Sequence, residues 1–297
     1  MTDIIHNDSE KRSEGLFSCY SHYLPGFKGM FAVLIMFLIG NLLSMTVLLG
    51  LKTLIPEMND SIGTLVSYPL LFIPAMIYAW FESRKNKRGN LPAISVDRFE
   101  GRKLGLTGTS LTVVAATIAA AVVTEPIALL LPPMPEAIEQ AMKSLTEGPF
   151  LINFISVSVF APFFEEWLCR GVVLRGLLSK TSPVNAILTS AVFFAVIHMN
   201  PWQALPAFIM GVLFGYVYYK TGSLKLTMLM HFANNTMSLA ISRIPSLKDV
   251  DYFFEAMNGW SYALAYVACL ATVICAIIII RTNSVDRSSC QTEQEPE

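Results

Sequence analysis

Eight apolar runs, separated by short polar connections, set the pattern of the chain: 30–50, 62–82, 104–131, 150–178, 184–200, 202–220, 223–242 and 259–280. A helix that crosses a bilayer needs roughly 20 mostly apolar residues. Most of the runs meet that length; the fifth to seventh are shorter, more polar or closely joined. None shows the apolar/polar alternation of a membrane strand. Lipid offers no partner to an exposed backbone group, so every run is expected to be helical. The pattern predicts an all-α, polytopic membrane helix bundle of about eight transmembrane helices over 30–281. Its motif-bearing core is 150–242, with a polar arm at 1–29 before it and a disordered polar tail at 282–297 after it. The stretch 133–148 reads as a short amphipathic surface helix. Gly211 and Gly215 form a small-xxx-small stripe suited to close helix packing.

Composition sharpens this picture. Of 297 residues, 54% are hydrophobic and only 14% charged, against about 25% charged in soluble domains. A formal net charge of −1 gives no reason to expect a nucleic-acid partner. The five cysteines show no metal-ligand spacing and imply no disulfide framework. Basic residues crowd alternate connections: Lys11, Arg12 and Lys28; Arg84, Lys85, Lys87 and Arg88; Arg175 and Lys180; Lys220 and Lys225; Arg281 and Arg287. The connections between them are mixed or acidic, as at Glu136, Glu139 and Glu147. By the positive-inside rule both termini are expected in the cytoplasm. With no organelle-targeting arm in view, a bacterial plasma membrane is the expected location.

Ionisable groups inside apolar helices are costly, by about 2.5–3.5 kcal/mol each on insertion scales, and mark functional sites. Two of the four histidines, His198 and His231, lie within apolar runs. In the fourth run, Glu166 and Arg170 are spaced i,i+4 and are expected to form a structural ion pair. Glu165, rotated about 100° from Glu166 around the helix, is left without that partner. Two adjacent acids in different surroundings can take different tasks. Pro162 cannot donate to the carbonyl of Ser158, so a kink is expected where Glu165 enters. His231 and Asn235 share a face of the seventh run. Counted from the 179–183 turn at about 1.5 Å per residue, Glu165 and His198 both stand roughly 21–23 Å above it.

The three clusters read Glu165-Glu166…Arg170, Phe194…His198 and His231…Asn235. In order, spacing and helix placement they resemble the CaaX protease and bacteriocin-processing (Abi) family, which includes the CaaX prenyl endopeptidases. The resemblance covers roughly 150–240. It implies an intramembrane endopeptidase in which Glu165 activates water together with His198. His231 and Asn235 would polarise the scissile carbonyl and stabilise its oxyanion, while Glu166 and Arg170 hold the helix and Phe194 packs. The family is commonly described as metalloprotease. Glu165, His198 and His231 would make a two-histidine, one-carboxylate zinc set, although HExxH is absent; the same groups could also activate water without metal.

Substrates implied by the resemblance are peptide or protein segments presented from the bilayer or its surface. Two other classes of function use buried polar groups. A proton-coupled transporter would carry them in both halves of an inverted repeat, whereas here they cluster in the second half. A non-catalytic scaffold or bacteriocin immunity protein would keep the motif without needing its chemistry.

Overall fold

A computed structural model of the chain describes residues 15, 17–101, 103–128, 130–144, 148–244, 246–247 and 253–284. Among these residues the protein is all-helical, with a single isolated bridge between Gly101 and Ser284. The helices are α1 (Phe27–Leu54), α2 (Asp60–Arg88), α3 (Gly105–Ala128), α4 (Glu136–Ser144), α5 (Phe150–Leu178), α6 (Pro183–Ile197), α7 (Pro201–Thr221), α8 (Leu224–Ile241) and α9 (Gly259–Asn283). Each of the eight apolar runs coincides with one of them, and α4 falls in the amphipathic stretch. Polar punctuation sets several ends. Asn59, Ser182, Asn200, Ser223 and Asn258 each accept from a backbone N–H at a helix start, and Gly222 closes α7 in the left-handed region.

Five helices, α1, α2, α3, α5 and α9, are long and apolar enough to cross a membrane, which makes this an integral membrane protein. The expected eight crossings go beyond that count. Helix α6 is apolar but has 15 residues, and α7 and α8 are interrupted by polar residues such as Gln203, His231, Asn234 and Asn235. Length and hydropathy register contact with lipid, and these three helices turn much of their surface to neighbouring helices instead. The opposite case is α9. Only 11% of its most apolar window is buried, and Trp260, Leu264 and Val267 are exposed. It packs along α3, and Asn283 at its end accepts from the N–H groups of Lys103 and Leu104 at the start of α3.

Two contacts order the N-terminal half. The 17–25 segment, part of the expected polar arm, is docked, with Tyr20 and Tyr23 buried. Arg175, itself buried, donates to the carbonyls of Gly171, Tyr20, Ser21, Tyr23 and Ile94. A guanidinium has five N–H donors, and here all its recorded acceptors are neutral carbonyls from three chain segments. The second contact is between α1 and the middle of α2, where residues Tyr68–Leu71 tighten into a 3₁₀ turn beside Pro69. The Leu71 carbonyl lies where a side chain on Gly40 would stand, and Ser44 donates to the Ser67 carbonyl at 2.9 Å.

Gly40→Ala should therefore be destabilising, since overpacking of this kind costs about 1–3 kcal/mol. Gly50, in the same helix, has open space where a Cβ would go. Thermal unfolding in detergent should show a lowered Tm for Gly40→Ala and an unchanged or raised Tm for Gly50→Ala.

Candidate active site

Helix α5 leaves the α-helical register twice. Residues Phe154–Phe160 and Trp167–Leu174 are π-helical, with i→i+5 bonding, and the two π segments flank the Glu165-Glu166 pair. Such segments are rare and gather at functional sites. In the first, the Ala161 N–H bonds to the Ser156 carbonyl. In that register the group due to bond Val157 is the nitrogen of Pro162, which has no hydrogen. The freed carbonyl is thus that of Val157, one residue from the Ser158 carbonyl expected from α spacing. Asn235 of α8 supplies the missing donor, its amide nitrogen 2.8 Å from the Val157 oxygen. The Asn235 amide oxygen accepts from Asn234.

Below this point lies a fully buried polar cluster. Glu166 and Arg170 are both 0% exposed and paired at 2.8 Å. The same carboxylate oxygen, Oε1 of Glu166, also accepts from Nδ1 of His231 at 3.0 Å. Glu166 is thus a joint between α5 and α8 as well as the partner of Arg170. The guanidinium donates to the Gly211 carbonyl on α7 and lies over the rings of Phe194 and Phe214, at 4.3 and 5.4 Å. Phe194 also meets the rings of His198 and His231 edge-on. Gly211 lets α7 approach α6 closely, as the small-residue stripe implies.

Glu165 has a different environment. Its Oε2 is 3.9 Å from Nε2 of His198, and both side chains keep some exposure, 13% and 19%. His198 is at the C-cap of α6, at the end of the helix and not within it, where Met199 (φ 49°) and Asn200 turn the chain into α7. Its Nδ1 lies 2.7 Å from the Phe194 carbonyl. A carbonyl can only accept, so Nδ1 carries a hydrogen, and Nε2 is the ring nitrogen that faces Glu165. The other carboxylate oxygen, Oε1, accepts from the hydroxyl of Tyr68 at 2.6 Å. Among the described residues Oε2, like Oε2 of Glu166, is buried and makes no hydrogen bond.

Two adjacent acids thus occupy different surroundings, one fully buried and paired through Oε1 to Arg170 and His231, the other partly exposed and facing an imidazole nitrogen. Residues 147–237 match the family model described as Type II CAAX prenyl endopeptidase Rce1-like. The matched segment is about a third of the chain and holds all three clusters, and the resemblance read from the motifs stands over those residues. No curated protein and no solved structure matches the chain. The Rce1-like match and the apolar helices together point to an intramembrane protease of CAAX type acting on a membrane-associated peptide.

Zinc would need Glu165, His198 and His231 together. Glu165 and His198 face one another, and His231 is held through Nδ1 by Glu166, which leaves its Nε2 as the nitrogen able to ligate. Among the described residues no three His, Cys, Asp or Glu side chains are grouped to hold an ion. Sequence reasoning missed Tyr68, which lies outside the Rce1-like segment. The available signal was a phenol inside an apolar run, since a buried tyrosine hydroxyl usually finds a partner.

Arg170→Met should destabilise strongly, because removing one member of a buried ion pair costs roughly 3–5 kcal/mol. Asn235→Leu strands the Val157 carbonyl and should cost about 1–3 kcal/mol. Unfolding temperatures in detergent, measured side by side, should rank Arg170→Met below Asn235→Leu and both below wild type.

Proposed function

We propose that the protein is an intramembrane endopeptidase that cleaves a peptide bond by glutamate-activated water. The observation that carries this reading is Oε2 of a partly exposed Glu165 facing the Nε2 of His198 at 3.9 Å. A water hydrogen-bonded to both atoms gives its proton to Oε2 as its oxygen adds to the scissile carbonyl carbon. The oxyanion that forms needs fixed donors. The second amide hydrogen of Asn235 fills that role, and His231 joins it from Nε2 when both of its ring nitrogens carry hydrogen, Nδ1–H being held by Glu166. When the C–N bond breaks, Glu165 returns the proton to the leaving amine, and the two peptide ends leave as acid and amine. No step passes through a metal. Substrates are peptide or protein segments that reach the site from the bilayer or its surface, and both termini face the cytoplasm.

The test is cleavage of a membrane-peptide library by purified wild type, Glu165→Gln, His198→Ala and His231→Ala, each with and without chelator. General-base catalysis contributes about 10²–10⁴-fold, so Glu165→Gln and His198→Ala should lose at least that lower factor. Wild-type activity should survive chelator. Loss with chelator and recovery on adding zinc would assign the chemistry to a metal instead. A wild type that cleaves nothing in the library would contradict the proposal.

A further inference from the structure

We infer that Tyr68 is the positioning residue for Glu165, holding one carboxylate oxygen so that the other faces His198. The inference rests on the proposed role of Glu165 as base, and it brings the N-terminal half of the chain into the site.

A glutamate side chain has three rotatable bonds, and freezing them costs entropy unless a contact holds the group. For the Glu165 carboxylate that contact is the Tyr68 hydroxyl, at 2.6 Å from Oε1. Such a distance is typical of a charge-assisted O–H···O⁻ bond. With Oε1 held, rotation about the last bond is blocked and Oε2 stays directed at His198. The oxygen held by Tyr68 and the oxygen that faces His198 are thus different atoms of one carboxylate.

Tyr68 is itself fixed from several sides. It opens the 3₁₀ turn beside Pro69, which sets its backbone. Close packing of Leu71 on Gly40 and the Ser44 bond to Ser67 hold that turn against α1. Its ring meets Phe72 at 5.7 Å, and Phe72 stacks on Phe164 at 5.2 Å with planes 14° apart. Phe164 is the residue before Glu165. The aromatic run therefore sets the spacing between the phenol on α2 and the carboxylate on α5.

The decisive variant is Tyr68→Phe, which keeps the ring and its packing and removes only the hydroxyl. On a peptide that wild type cleaves, kcat should fall about 10–100-fold, the scale of loss for a misoriented catalytic group, while KM stays within twofold. In the infrared, the Glu165 carboxylate band, isolated by subtracting the Glu165→Gln spectrum, should shift in Tyr68→Phe. An unchanged kcat overturns the positioning role, and an unshifted band overturns the contact. A wild type without protease activity would sink the proposed function, and the infrared arm would still decide whether Tyr68 holds Glu165.

Discussion

The arrangement depends on a single buried carboxylate, that of Glu166. Taking a charge into a helix bundle costs several kcal/mol unless partners replace the lost water. Glu166 obtains them from its own helix, through Arg170 one turn on, and from α8, through His231. Arg170 in turn reaches α7 through the Gly211 carbonyl and lies against Phe194 of α6 and Phe214 of α7. One fully dry cluster thereby fixes the relative register of four helices. A slip of any of them by a residue would strand a charge.

That constraint is what leaves the neighbouring acid free. Glu165 is turned about 100° away on the helix and cannot share the partners of Glu166. It emerges where His198 ends α6 and where the Tyr68 turn of α2 comes closest. The π segment before it widens α5, and Asn235 supplies the hydrogen bond that Pro162 cannot. His231 and Asn235, one turn apart on α8, therefore each stabilise α5 at a different level, one through Glu166 and one through Val157. In the proposed mechanism chemistry and architecture share these residues, and stability and activity measured on the same variants separate the two contributions.

What could be read from the sequence follows from local periodicity. Apolar runs marked the helices because lipid and core both demand apolar length. The i,i+4 spacing of Glu166 and Arg170 implied their contact, and counting rise from the 179–183 turn put Glu165 level with His198. Features set by tertiary packing were not legible. The bond from His231 to Glu166 depends on how α8 is rotated against α5, and the reach of Tyr68 depends on how α1 and α2 dock. The π register displaced the freed carbonyl from Ser158 to Val157, because spacing rules assume 3.6 residues per turn. Hydropathy likewise ranks α7 and α8 below the five long apolar helices, because polar residues interrupt them.

In the proposed mechanism two adjacent glutamates have separate tasks, Glu166 holding the bundle and Glu165 performing the chemistry. Unfolding temperature and peptide cleavage, measured for Glu165→Gln and Glu166→Gln in the same detergent, separate them. Glu165→Gln should keep the wild-type Tm and lose cleavage, while Glu166→Gln should unfold at a clearly lower temperature. Equal destabilisation by the two changes, or cleavage that survives Glu165→Gln, would overturn this division.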